Sequence, residues 1–243
     1  MLPSESIRNH SAGRSTPETP CLSVDSSFTE IEVWAEASGW DLDFRQLSAG
    51  RLNGRVRVLT GAHCTAMRVD LNQAYHQVGQ VSPDLLAFGL PHPSCGEFNW
   101  CRSRVEGGDI LNFNQEGGFD GTSGKSFSGC ALSFERKSLE ELAELLDLRV
   151  NLDELSHCGG TLSKASEETE RLRAQFALAF QRASKRASDG PLEASSLLGT
   201  GAAESILRLL ARSSGEQPRS VQPARRSALR RALEVLEAPE NFP

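Results

Sequence analysis

The stretch SFSGCALSFERKSLEELAELLDL, residues 126–148, contains the change of pattern that decides the fold. Up to Ser138 the apolar residues follow the period of two that is typical of strands, and after it they follow the helical period of 3.6. Ser138 and Glu141 form a Ser-x-x-Glu capping box, which predicts a helix start. The helical stripe that follows consists of Leu139, Leu142, Leu145 and Leu146. We therefore expect a β-rich domain before this point and a helical segment after it, which is an α+β fold.

Short strand-like segments separated by turns fill residues 28–136. LNG (52–54) predicts a hairpin turn between FRQLSAG (44–50) and RVRVLTG (55–61). Four further segments follow, and no helical pattern intervenes: TAMRVDLNQAYHQVG (65–79), DLLAFGLP (84–91), WCRSRVEGGDILNFN (100–114) and SFSGCALSFE (126–135). Such a series indicates an antiparallel barrel or sandwich.

The helical segment spans residues 137–212. After the helix at 138–148, two more are predicted at 166–186 and 201–212. Their apolar stripes consist of Leu172, Phe176 and Phe180 in the first, and Ile206, Leu209 and Leu210 in the second. We expect the two stripes to pack together and to leave part of their apolar surface for a two-fold partner, which predicts a homodimer. The alternative is that both stripes dock on the β domain.

Both ends of the chain differ from the middle. Residues 1–27 are rich in Ser, Thr and Pro, which predicts a flexible arm. SSGEQPRSVQP gives residues 213–223 the composition of a linker. Residues 224–243 then begin an amphipathic helix with no obvious partner, so we interpret it as the start of a further, truncated domain.

Composition and charge exclude several classes of protein. The net charge is −6, so the chain is a poor nucleic-acid binder by itself, although residues 212–231 hold six Arg and one Glu. The six Cys include no CxxC pair, and we interpret them as reduced thiols. We expect a cytoplasmic protein without a membrane segment, because the chain has neither a signal peptide nor a long apolar run.

Four separate stretches resemble AraC-type bacterial transcription regulators. The segment 39–61 matches a dispersed F-x-Q-L-x-x-G-x-x-x-G pattern of the sensor domain through Phe44, Gln46, Leu47, Gly50 and Gly54. HQVG (76–79) with DLLAFGLP (84–91) resembles the next part, and VEGGDILNF (105–113) the part after it. RRSALRRALEVLEAPENFP (225–243) resembles the helix that opens the DNA-binding domain of that family.

This resemblance implies a cupin-like barrel that senses an effector, followed by helices that dimerise. It also implies that promoter DNA is bound through two helix-turn-helix units, of which only the start, residues 224–243, is present. We therefore expect the chain alone to bind DNA weakly. The effector would be a small molecule whose identity the sequence does not give.

If the barrel is a sensor, we expect an apolar pocket inside it with a few polar anchors. Met67 and Arg68 lie on opposite faces of one strand, so only one of them can point inward, and we favour Met67. The predicted lining consists of Trp40, Phe44, Met67, His76, Phe88 and Trp100.

An alternative function is that of a small cupin-type, metal-dependent enzyme. The only set with the chemistry of metal ligands consists of His76, His92, Cys95 and Cys101. Because no HxH pair clusters them, we interpret them as buried thiols and turn histidines. No GxSxG, HExxH or phosphate-loop motif occurs, so we expect no catalytic residue, no metal and no cofactor.

Overall fold

The computed structural model describes residues 21–61, 64–105, 109–157, 160–162, 167–186 and 200–213. Within these ranges the chain forms two antiparallel sheets followed by helices, so the predicted α+β class is confirmed. Residues 1–20 of the predicted arm lie outside the described residues. The predicted linker and helix-turn-helix start also lie outside them, apart from Ser213.

Two sheets make up the β domain. The large sheet has the strand order β1-β3-β4-β11-β6-β9, and the small sheet has the order β2-β5-β10-β7-β8. The strands of the large sheet are β1 (Cys21–Phe28), β3 (Gly54–Thr60), β4 (Cys64–Leu71), β6 (Leu85–Pro91), β9 (Leu111–Asn112) and β11 (Phe127–Glu135). Those of the small sheet are β2 (Asp41–Gln46), β5 (Tyr75–Gln80), β7 (Phe98–Trp100), β8 (Ser103–Arg104) and β10 (Phe119–Ser123).

The predicted hairpin at residues 52–54 is wrong. Strand β2 pairs with β5 in the small sheet, whereas β3 pairs with β1 and β4 in the large sheet. The LNG segment therefore ends a connection that crosses between the two sheets. Glycine is required at position 54 for close packing, because a Cβ atom there would lie 2.3 Å from the ring of Phe28.

The ordered β domain begins earlier than the predicted boundary at residue 28. Residues 21–27 belong to β1, which pairs along its length with β3. Helix α1 (Glu32–Ser38) then appears where no helix was predicted, with the buried Trp34 on its inner face. It ends at Gly39, whose φ of 67° is the left-handed conformation common after helices.

The helices after the sheets occupy nearly the predicted ranges. They are α2 (Arg136–Leu145), a 3-10 helix (Leu152–Ser156), α3 (Glu167–Arg186) and α4 (Thr200–Ser213). The predicted capping box is wrong, because α2 begins at Arg136 and Ser138 lies inside its first turn. The Ser138 hydroxyl donates to the Glu135 carboxylate at 3.2 Å. Among the described helices, none is long and apolar enough to cross a membrane.

The large sheet is buried on both faces and separates two apolar clusters. The interior cluster fills the space between the sheets, with Val56 and Met67 from the large sheet facing Tyr75 and Trp100 from the small one. The helix-side cluster joins the opposite face of the large sheet to α2, α3 and α4. Both clusters follow from the alternation of strand residues, which sends neighbours such as Val58 and Leu59 to opposite faces.

Candidate functional site

Four of the six predicted lining residues border the space between the sheets. Met67 and Trp100 are buried there, and Trp40 and Phe44 pack against the same interior cluster. The ring of Trp40 lies 4.9 Å from that of Phe113, and Phe113 lies 4.6 Å from Trp100. Their role in binding a ligand stays a prediction.

The structure separates the other two predicted residues from this group. His76 lies on the outer face of the small sheet, with Nε2 3.2 Å from Asp120 Oδ1. Phe88 belongs to the helix-side cluster, where its ring is 6.3 Å from that of Phe134. The positions of His76 and Phe88 follow from the alternation of side chains along a strand. Their neighbours in sequence, Tyr75 and Ala87, are the residues that face the interior.

Aromatic rings pack closely through the interior cluster. Trp100 stacks between Phe98 and Phe119, with ring centroids 5.9 and 5.0 Å away. Trp34 Nε1 is buried and has no hydrogen-bond partner within the described residues, whereas the buried Tyr75 hydroxyl interacts with the Ser123 side chain. Burial raises the pKa of Tyr75 well above its usual range, so its phenol is neutral.

A cavity of about 350 Å³ lies on the other side of the large sheet, between β4, β6, β11 and α3. We call it the sheet–helix cavity. Its apolar wall comes from Leu90, Pro93, Ala174, Phe176, Ala177 and Phe180. Its polar wall comes from Arg68, His92, Ser128, Cys130, Glu170 and Arg173. An apolar chamber with a few convergent polar groups is the usual form of a small-molecule site.

The floor of this cavity is formed by Arg68, Cys130 and Leu90, which belong to a row of neighbouring residues on adjacent strands. Arg57 lies opposite Arg68, Arg68 opposite Cys130, and Cys130 opposite Leu90. Two arginines facing each other repel unless a negative charge lies between them. Asp70 supplies it, with Oδ2 3.3 Å from Arg68 Nε and 3.9 Å from Arg57 Nη2.

The groups around this row fix its geometry. Ser128 Oγ donates to Asp70 Oδ1 at 2.5 Å and so holds the carboxylate in place. The guanidinium carbon of Arg57 lies 5.5 Å from the centre of the Phe180 ring, which is a cation–π contact between β3 and α3. The charged floor is thereby connected to the helix that covers it.

Arg173 projects from α3 into the same region. Its Nη1 donates to the Pro91 carbonyl, and Nε lies 3.5 Å from Glu170 Oε1. Nε and Nη2 are buried and make no hydrogen bond within the described residues. Burial lowers the pKa of this guanidinium, and Glu170 partly offsets that effect. An arginine has five N–H donors, so Arg173 keeps donors available for a ligand.

The thiols at this site are neutral. Burial raises the pKa of Cys130 to about 11 and also raises the pKa of Cys95. Cys95 Sγ donates to the Ser128 carbonyl at 2.7 Å, which further marks it as a structural thiol. In the described part of the chain, no group of three or more His, Cys, Asp or Glu side chains could hold a metal ion.

A second, open groove of about 780 Å³ runs over the outer face of the small sheet. Acidic and amide side chains line it, among them Asp41, Asp43, Asn99 and Asp120. None of its lining residues belongs to α3 or α4.

The six residues predicted to dimerise are buried within the chain itself. Leu172, Phe176 and Phe180 of α3 and Ile206, Leu209 and Leu210 of α4 all belong to the helix-side cluster. The two helices contact each other, and their stripes also pack on the large sheet, as the alternative interpretation had it. Any contact with a second copy would therefore use other faces of these helices.

The sequence interpretation missed Arg57, Arg68 and Arg173. The two strand arginines were visible in the alternation of RVRV (55–58) and MRVD (67–70), which places polar residues on one face and apolar residues on the other. Arg173 directly follows Leu172 of the buried stripe, and this position beside the stripe was the available signal.

No family model matches the sequence, and no curated protein matches it. Among solved structures, the AraC-like transcriptional activator CuxR aligns with a TM-score of 0.49 at 10% identity, over 89% of this chain and 80% of that one. YcfD, a ribosomal oxygenase from Escherichia coli, aligns with a TM-score of 0.20 at 12% identity, over 92% of this chain and 69% of that one.

Proposed function

We propose that this chain is the effector-sensing and dimerisation part of an AraC-type bacterial transcription regulator. The proposal is supported by the order of the four sequence stretches that resemble that family. It is also supported by the architecture, in which a two-sheet domain leads directly into helices packed on one of its sheets. The single observation that carries it is the sheet–helix cavity, because a ligand there contacts the β domain and α3 at once.

The same position suggests how a ligand would act. Ala174 and Ala177, one turn apart on α3, line the cavity and are also exposed to solvent. A ligand held between the sheet and α3 would therefore contact residues of α3 that solvent or a second copy also contacts. Such a ligand would shift the equilibrium between monomer and dimer only to the extent that its affinity differs between these two states.

The dimer contact, in this proposal, is the exposed face of α3. The buried stripes of α3 and α4 are already covered within the chain, so they offer no free surface. Leu178 is the large apolar residue that α3 leaves exposed, at 37%, and it lies one turn from Ala174 and next to Ala177. Interface cores favour apolar side chains and exclude charges.

Light scattering coupled to size exclusion tests this proposal on the full chain at about 10–100 μM, where a Kd near 1 μM shows as dimer. We expect a dimer for the natural chain and a monomer for Leu178→Glu, because the variant buries a charge at the contact. Leu47→Glu is the matched control, since Leu47 is exposed at 50% in the loop after β2. A natural chain that stays monomeric, or a Leu47→Glu variant that dissociates equally, would contradict the proposal.

A further inference from the structure

The sheet–helix cavity has the size of a site for a small ligand. Its volume of about 350 Å³ lies at the lower end of the range of about 300–1,000 Å³ that ligand pockets span. Phe176, Phe180 and Leu90 give it a wall that suits a compact apolar body. The polar groups are concentrated at the other wall, so an occupant would have one apolar end and one polar end.

The charge of the polar wall selects an anion. Among the described residues that line the cavity, two guanidinium groups, of Arg68 and Arg173, face one carboxylate, of Glu170. Beside the lining, Arg57 and Asp70 carry one charge of each sign and lie 3.9 Å apart. One positive charge is therefore left uncompensated, and the neutral thiols of Cys95 and Cys130 do not cancel it. A single negative charge balances the wall, whereas a dianion would face Glu170 with a charge in excess.

The available donors select a carboxylate. Arg173 is 13% exposed in its side chain; its Nη2 makes no hydrogen bond within the described residues, and its Nε has only an ion-pair contact, at 3.5 Å, with the carboxylate of Glu170, which is 62% exposed. These two nitrogens lie on the same edge of the guanidinium and match the two oxygens of a carboxylate, which arginine binds through paired hydrogen bonds. Arg173 Nη1 donates to the Pro91 carbonyl, which fixes the orientation of the Nε–Nη2 edge, and a bound carboxylate would replace the exposed Glu170 carboxylate at that edge.

We propose that the sheet–helix cavity binds a small monocarboxylic acid with a compact apolar body, and that Arg173 holds its carboxylate. Phe176, Phe180 and Leu90 receive the apolar body, and Arg68 adds positive charge at the floor. The assignment of this acid as the effector rests on the proposed function, whereas its binding does not.

Calorimetric titration of the full chain tests the proposal with benzoate and hexanoate as probes. Benzamide and hexanamide are the neutral counterparts of nearly equal shape. We expect at least one acid to bind below about 10 mM, and its amide to bind at least about tenfold more weakly, because a charge-assisted pair is lost. Phenyl phosphate, the dianionic probe, should bind more weakly than benzoate. Absence of binding by both acids, equal binding of acid and amide, or tighter binding of phenyl phosphate would overturn the proposal.

Two arginine variants on the same helix locate the site. Arg173→Met keeps an apolar stem and removes the charge, and it should weaken binding of the acid at least about tenfold without changing that of the amide. Arg171→Met is the matched control, because Arg171 is 54% exposed and pairs with Glu167 on the outside of α3. Equal weakening by both variants would overturn the assignment to Arg173. If Arg173→Met does not fold, the proposal is tested on the natural chain, by whether it binds the acid more tightly than the amide and more tightly than phenyl phosphate.

The same samples separate the binding proposal from the proposed function. Light scattering with and without the acid reports the oligomeric state independently of the calorimetry. Binding of the acid to a chain that never dimerises would leave the site standing and contradict the regulator function. A dimer that binds neither acid would leave the proposed function standing and contradict the assigned ligand.

Discussion

At the scale of single residues, a buried asparagine joins three parts of the fold. Asn112 on β9 donates through Nδ2 to the Leu155 carbonyl of the 3-10 helix at 2.8 Å. Its Oδ1 accepts from the backbone N–H and the side-chain amide of Asn114 at 3.1 and 2.9 Å. Asn114 in turn bonds both backbone groups of Ala87 on β6. The network satisfies polar groups that would otherwise be buried without partners.

Replacing Asn112 by alanine should therefore be costly. The change leaves the Leu155 carbonyl and two Asn114 donors without their partner, and we expect a loss of about 2–4 kcal/mol in the free energy of unfolding. Urea denaturation of the full chain measures it. Asn99→Ala, on an exposed strand position, should change stability by less than about 0.5 kcal/mol. Equal effects of the two changes would show that the network does not stabilise the fold.

Gly121 sets the packing of Trp100 in the interior cluster. A Cβ atom at Gly121 would lie 2.6 Å from the Trp100 ring, which already stacks on Phe98 and Phe119. We expect Gly121→Ala to cost about 1–3 kcal/mol through overpacking and to alter the tryptophan fluorescence. Gly117→Ala is the control, because no atom lies within 4 Å of the added carbon. An unchanged spectrum and stability for Gly121→Ala would refute this account of the packing.

At the scale of elements, α4 is the centre of the helical layer. Its residues Ala202, Ile206 and Leu207 are almost fully buried, and it contacts both α2 and α3. A helix that is apolar around most of its circumference is a buried helix rather than a surface one. This explains why the stripe at Ile206, Leu209 and Leu210 packs inside the chain and leaves the outer face of α3 as the available surface.

Truncation of a leucine on α4 tests this central position. Leu207→Ala should lower the free energy of unfolding by about 2–5 kcal/mol, because it opens a cavity at a fully buried site. Leu145→Ala on α2, where the side chain is 55% exposed, should cost less than about 1 kcal/mol. Guanidinium denaturation compares the two variants. Similar costs would mean that α4 is not packed as described.

The sequence predicted which segments form strands or helices better than it predicted which strands pair with each other. The switch from strands to helices near Ser138 depends on local periodicity, so it could be found from residues alone. The connection between β2 and β3 could not, because pairing depends on which sheet buries Phe44 and which buries Val56. Helix α1 was missed because its seven residues are too few for a helical period to stand out. Arg57 and Arg68 were missed because a charged residue on a strand is expected to be solvent-exposed unless a covering helix is known.

At the scale of the whole molecule, the large sheet separates the packed interior cluster from the sheet–helix cavity. Its inner face packs on the small sheet, and its outer face carries the charged row under α3. Helix α3, which covers this row, is the element to which the proposed function assigns the dimer contact. A ligand in the sheet–helix cavity and a second copy on α3 would therefore both contact the same helix. This predicts that ligand binding and dimerisation are coupled.

The dimer dissociation constant, measured by sedimentation equilibrium with and without a saturating concentration of the bound acid, tests this coupling most directly. Coupling free energies between sites are typically about 1–3 kcal/mol, so we expect the constant to change by at least about fivefold. Arg173→Met should abolish the change, and Arg171→Met should preserve it. A dissociation constant that is the same with and without the acid would contradict the account of the chain as a sensor.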